Sequence, residues 1–163
     1  MSGIEVSKMV VGIGADASGF TLKEAILQWL NSDARVERVI DFGVHSIDDP
    51  TFYSEVGLQT AEQVRAGELH RAILVCGTGI GMMIAANKVP GVYATVAYDM
   101  YSVERSILSN NCQVLCLGGK VVGPEVGRRI VDAWLNYSFD PTSRSAAKVA
   151  IIQEYERHRH GVD

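Results

Sequence analysis

The stretch Cys76-Gly77-Thr78-Gly79-Ile80-Gly81 carries the residue types best able to do chemistry in this sequence. It lies between an apolar run and a helix-like segment. Three glycines at alternate positions there let backbone N–H groups converge on an anion, and the dipole of the following helix adds to the attraction. A thiolate is favoured at such a helix start, so Cys76 is a candidate base or nucleophile. The alternative is a buried cysteine followed by a tight turn, since cysteine is among the most buried residue types. As a nucleotide motif the stretch is weak. It lacks GxGxxG spacing, and GxxxxGK[ST] occurs nowhere in the chain.

Gly12-Ile13-Gly14-Ala15-Asp16 invites a dinucleotide reading, but the third glycine of that pattern would fall at Ala17. Asp16 would also repel a pyrophosphate in that turn. It is better suited to a sugar hydroxyl, or to capping the turn itself. The four histidines, His45, His70, His158 and His160, have no metal-ligand spacing. Asp48-Asp49 before Pro50 reads as a solvated turn, and no GxSxG hydrolase elbow is present. The cations placed to hold an anion are Lys88, Lys120, Arg144 and Lys148. The last two share a face if the tail is helical.

Apolar runs alternate with amphipathic stretches to position these groups. Strands are expected at Met9–Ile13, Val36–Phe42, Ala72–Cys76, Val92–Ala97 and Val114–Leu117. Between them come five helices. Thr21 to Glu24 reads as a capping box opening the first, whose stripe is Leu22, Ala25, Ile26, Trp29 and Leu30. The second follows Pro50, carries Val56, Ala61 and Val64, and ends near Gly67. An apolar helix runs on from Gly81 to Asn87-Lys88, and a short one spans Met100–Leu108. Pro124 opens the last main helix, which is expected to bury Val126, Ile130 and Trp134. In the tail, Ala147, Ile151 and Tyr155 recur at four-residue steps, as on a docked helix. Strands spaced this way, with helices between them, imply a single doubly wound, Rossmann-like α/β domain over residues 1–163. Ligands of such domains sit at the carboxyl ends of the strands. That selects the loops after Ile13, Cys76 and Ala97.

Hydrophobic residues make up 47% of the 163 residues and charged residues 21%, which excludes a disordered or disulfide-stapled chain. A formal charge of −4 argues against a nucleic-acid surface, so an anion must be held by a local cluster. No apolar run reaches the length of a membrane span. Three cysteines without a CxxC pair, and no signal peptide, point to the cytoplasm.

Taken in order, these segments resemble the sugar-phosphate isomerases of the ribose-5-phosphate isomerase B and galactose-6-phosphate isomerase family. The resemblance rests on Gly14-Ala15-Asp16, on Cys76 through Gly81, and on Ala85-Ala86-Asn87-Lys88-Val89-Pro90-Gly91. Asn110, Gly118-Gly119-Lys120-Val121-Val122-Gly123 and Val131-Asp132-Ala133-Trp134-Leu135 extend it, so that it covers roughly Met9 to Ile152. It implies a five-stranded parallel sheet, no metal, no organic cofactor, and a homodimer or homotetramer with sites shared between chains. It also implies aldose–ketose isomerisation through a cis-enediolate. In that reading Cys76 moves a proton between C1 and C2, and N–H groups of Gly77, Gly79 and Gly81 stabilise the oxyanion. Thr78 orients the oxygen near the base, and Asp16 and Asn110 bind hydroxyls. Lys120, Arg144 and Lys148 hold phosphate, with tail residues 142–163 docked on a partner subunit.

The departures from the family pattern bear on the substrate. Histidine usually follows the aspartate, where this chain has Ala17. The ring-opening histidine before the asparagine is Ser109, the histidine by the phosphate arginine is Ser145, and the tyrosine of an Asp-Tyr-Pro segment is Asp49. Two explanations fit. One is an open-chain substrate such as a tetrulose 4-phosphate, which cannot close a furanose. The other is a hetero-oligomer in which a histidine-bearing homologue completes the site, as in galactose-6-phosphate isomerase. A pentose phosphate with a relocated acid comes third. A non-catalytic sugar-phosphate sensor would need the anion loop but no thiol, and a dinucleotide oxidoreductase would need the missing fingerprint.

Overall fold

A computed structural model of the chain describes residues 8–160. Five strands, β1 (Met9–Ala15), β2 (Val36–Asp41), β3 (Arg71–Cys76), β4 (Ala94–Val96) and β5 (Val114–Gly118), form one parallel sheet in the order β2-β1-β3-β5-β4. The helices among the described residues are α1 (Phe20–Leu30), α2 (Tyr53–Arg65), α3 (Ile80–Ala86), α4 (Met100–Leu108), α5 (Pro124–Leu135) and α6 (Ala146–His160). This is the expected doubly wound α/β architecture, with a helical tail.

The sheet is covered on both faces, so its central strands are apolar throughout and alternate residues enter two cores. Ile13, Ile73, Val75, Leu115 and Leu117 join Leu22, Ile26, Ile130 and Trp134 beneath α1 and α5. Leu74, Cys76 and Cys116 face Val56, Ala61, Met82 and Ala86 of α2 and α3. Cys76 therefore points into the α2–α3 layer. Gly12 and Gly14 are packing residues. A Cβ there would stand 2.6 Å from the Leu69 and Val56 side chains, so their absence lets α2 and its flank close onto β1.

Element boundaries shift, most of all in β4, which keeps three of the six residues expected at Val92–Ala97, and two further details depart from the sequence reading. The capping box is not formed, because α1 starts at Phe20 with Gly19 as its cap. Thr21 is thus already inside the first turn, and the Asp16 carboxylate accepts from the Gly19 N–H at 3.0 Å instead. In α5 the buried stripe is Gly127, Ile130, Val131 and Trp134, leaving Val126 half exposed, one position off the face.

Polar groups tie the loops to the layers. Lys23 is fully buried, and its Nζ donates to Asp41 Oδ2 at 2.8 Å and to the Val44 carbonyl at 2.9 Å, fixing the segment after β2. Asn87 donates to the Met83 and Ala94 carbonyls and accepts from the Ala94 N–H, clamping the end of α3 to β4. Arg71 lies over the Trp134 ring and donates to the Trp134 and Tyr137 carbonyls at the end of α5. Burial there lowers its pKa to about 10.

Candidate active site

In a parallel sheet ordered β2-β1-β3-β5-β4, the chain leaves β1 toward one side and β3 toward the other. The crevice at their carboxyl ends is the topological switch point where ligands collect. Asp16 follows β1 and Cys76 ends β3, so the fold itself brings them to that crevice. A cavity of about 480 Å³ opens there, lined by Asp16, Tyr53, Cys76, Gly77, Thr78, Ile80, Gly81, Ile84 and Lys120.

The Cys76 side chain lines this cavity although the residue is only 5% exposed, and its Sγ accepts from the Gly79 N–H at 3.1 Å. That bond holds the sulfur against the start of α3. Gly79 caps α3 with φ +77°, and a Cβ there would stand 3.1 Å from the Cys116–Leu117 backbone. Only glycine fits both the left-handed turn and the close approach of β5. Thr78 is exposed; its Oγ1 accepts from Ile80 N–H at 3.4 Å and its carbonyl from the Tyr98 hydroxyl at 2.8 Å.

Lys120 reaches the cavity from the turn after β5. Its Cδ and Cε lie 3.7 and 3.9 Å from where a Gly77 Cβ would be, so the ammonium flanks the opening of the cysteine loop. Asp16 both caps the α1 turn and lines the cavity, combining the two roles open to it. Gly81 lies in the first turn of α3 rather than in the loop, and the Tyr53 ring packs where its Cβ would stand. Tyr53 and Ile84 are lining residues that the motifs did not reveal, and Ile80 lay within the cysteine motif without being singled out. Tyr53 is the first residue of α2, and only the packing of α2 on α3 brings it here.

Three expected site residues are not in this cavity. Ala72 pairs with Val114 and Cys76 with Gly118, so β3 runs about 13 Å between the two ends of the sheet at ~3.3 Å per residue. Asn110 precedes β5 at the amino end, exposed, its amide 3.5 Å from the Arg105 carbonyl. Within one chain Arg144 and Lys148 likewise lie outside the cavity lining. Lys88 follows α3 and is not part of the cavity lining either.

Burial pushes the Cys112 thiol up to about 12 and the Cys116 thiol well above the ordinary range. Neither lines the cavity, so Cys76 is the only cysteine of the three that does. His45 is exposed with Nδ1 3.5 Å from Asp41, and His70 is exposed with its Nδ1 accepting from Val10 N–H. The cavity lining contains no histidine.

Comparison with known proteins agrees with this geometry. A family model described as Ribose/Galactose Isomerase matches residues 11–152. D-erythrulose-4-phosphate isomerase 2 of Mycolicibacterium smegmatis is 54% identical over 144 residues, covering 88% of this chain and 95% of the relative. D-erythrulose-4-phosphate isomerase of Pectobacterium atrosepticum is 40% identical over 146 residues, covering 90% and 94%. The structure of Clostridium thermocellum ribose-5-phosphate isomerase B superposes with a TM-score of 0.85 at 42% identity, over 92% of this chain and 99% of that one. With its cysteine at a glycine-lined helix start and a match spanning nearly its whole length, this chain belongs to the ribose/galactose isomerase family.

Proposed function

We propose that the protein interconverts a four-carbon ketose 4-phosphate and the corresponding aldose 4-phosphate. The observation that carries this reading is a cavity offering a thiol, a carboxylate and an ammonium group, in a chain with Ser109 where the family pattern has its ring-opening histidine. The relatives named for D-erythrulose 4-phosphate support the substrate class.

The chemistry follows from what such a substrate needs. In a tetrulose 4-phosphate the C4 oxygen is esterified, so no furanose forms and the carbonyl is already open. An acid–base group for ring opening is then superfluous. The Cys76 thiolate takes a proton from C1 of the ketose; the C1–H electron pair becomes the C1=C2 bond and the C2=O π pair moves onto the C2 oxygen, giving a cis-enediolate. N–H groups of the Gly77–Gly81 segment lie where charge develops on that oxygen. The thiol then returns the proton to C2, while the O1 proton passes to O2 and C1 becomes the aldehyde. Thr78 orients the oxygens, Asp16 binds a hydroxyl, and Lys120 holds the phosphate as a point charge.

Asn110, Arg144 and Lys148 enter this reading through a second chain. A homodimer in which the amino end of one subunit faces the carboxyl end of its partner joins both halves of the site. The tail, residues 142–163, then docks on the partner. Exposed Ile151 and Tyr155 on α6, with Phe52, Ile84, Met100 and Tyr101 on the body, are the apolar surface such docking would cover. Three free cysteines suit a reducing cytoplasm.

The test is solvent deuterium entry at C1 or C2. Erythrulose 4-phosphate in D₂O exchanges with the wild type, and Cys76→Ala lowers the rate by about 10³-fold or more while the fold is retained. Exchange by Cys76→Ala at the wild-type rate, or wild-type exchange confined to pentose phosphates, would refute this assignment.

A further inference from the structure

The cysteine loop is bounded at both ends by side chains from distant elements. At the Gly77 end stands Lys120, with its Cδ 3.7 Å from the position of a Gly77 Cβ. At the Gly81 end stands Tyr53, whose Cε2, Cζ and Cδ2 lie 2.6, 2.8 and 2.9 Å from the position of a Gly81 Cβ. The ring therefore rests against the first turn of α3. Tyr53 is the largest side chain in the lining and its single aromatic one.

The polar atoms of the lining are not equally committed. Asp16, Cys76 and Thr78 each accept a backbone N–H. Among the described residues the Tyr53 phenol has no hydrogen-bond partner, although it lines the cavity and is 42% exposed. Its neighbours Ile80 and Ile84 are aliphatic, so at this end of the cavity the phenol is the neutral donor available to a ligand oxygen.

We propose that Tyr53 gauges the length of the sugar: with the phosphate at Lys120, its ring closes the far end of the cavity against a fifth carbon. This rests on the isomerase reading and deepens it. Along the loop Lys120 lies by Gly77, the Cys76 sulfur by the Gly79 N–H and Tyr53 by Gly81. A phosphate at the first places the reacting C1–C2 pair beside the second, and the C1 oxygen then meets the phenol. A ketopentose 5-phosphate held by the same phosphate contact drives its C1 end into the aromatic ring. Specificity thus comes from a wall built by α2, a segment that supplies none of the expected catalytic groups.

The experiment compares kcat/KM for erythrulose 4-phosphate and for a ketopentose 5-phosphate in the wild type, Tyr53→Phe and Tyr53→Ala. Tyr53→Phe keeps the ring, so the four-to-five-carbon preference stays within about threefold of wild type. Tyr53→Ala opens the end, and the preference falls by about tenfold or more, the scale on which a pocket discriminates one carbon. A preference unchanged in Tyr53→Ala overturns the proposal. Inhibition of the wild type by aldonate phosphates gives a reading independent of any variant's folding. The four-carbon 4-phosphate is expected to bind about tenfold tighter than the five-carbon 5-phosphate, and equal affinities also overturn the gauge. Deuterium exchange by the wild type separates the two levels. If no sugar phosphate exchanges, the isomerase reading fails and takes this inference with it. If exchange is normal while the preference ignores Tyr53→Ala, only the inference fails.

Discussion

At the scale of single residues, the three cysteines differ in environment more than in chemistry. Cys112 and Cys116 are disfavoured as thiolates by burial, the first with its pKa raised to about 12 and the second well above the ordinary range. The thiolate is the nucleophile, so both stay protonated and slow to react at neutral pH. Cys76 touches the cavity. Iodoacetamide at pH 7–8 is therefore expected to label Cys76 first, with loss of activity tracking one modification per chain, and a sugar phosphate should protect it. Peptide mapping checks this, and initial labelling at Cys112 would contradict it. The same burial has a consequence for stability. Cys112 binds its proton more tightly folded than unfolded, so its contribution is complete below pH 9 and disappears as pH rises toward 12.

At the scale of elements, the short helix α3 and its left-handed cap decide where the sulfur sits. Gly79→Ala would force a Cβ against the β5 backbone at φ +77°. The expected cost is roughly 1–3 kcal/mol, visible in denaturant melts, together with a large fall in kcat as the N–H groups turn away from the substrate. Most elements were legible from periodicity, because a sheet covered on both faces demands long apolar runs and the helices α1 to α5 each bury one face, whereas the tail stripe Ala147, Ile151 and Tyr155 is exposed. Met100–Leu108 is found as expected, and β3 and β5 differ by one residue each. The capping box at Thr21 and the burial of Val126 were misread for one reason. A shift of two residues in a helix start, as in α1, or of one residue in its face, as in α5, is invisible in sequence until a neighbouring layer fixes it.

At the scale of the whole molecule, the candidate site residues separate into two groups: Asp16, Cys76, Thr78 and Lys120 line one cavity, and Asn110, Arg144 and Lys148 lie outside it. If the halves meet across a dimer, mixing the inactive variants Cys76→Ala and Asn110→Ala after denaturation and refolding restores activity. Random pairing leaves one intact site in hybrid dimers, about a quarter of the wild-type total. No recovery would mean that Asn110 works within its own chain or not at all. Removing residues 142–163 should leave the body folded, since Val149 is the one buried residue among the described residues of α6, and a shift in melting temperature of about 5 °C or less is expected. Activity and the dimer should be lost together, which sedimentation and exchange assays would show side by side.

By itself the sequence determined the doubly wound fold, the helix-start cysteine and the family. These depend on local patterns: apolar runs, the spacing of glycines, and a motif whose residues are contiguous. It also carried Asp16 and Lys120, each next to a strand whose end the fold rule places at the crevice. What only the tertiary structure decided is which distant side chains share that crevice. Tyr53 arrives there because α2 packs on α3, Asn110 is carried away because it precedes β5 at the other end of the sheet, and Arg144 and Lys148 lie outside the cavity lining around the start of α6. Spacing along a chain records neither helix-on-helix packing nor the thickness of a sheet, so those placements had to wait for the folded molecule.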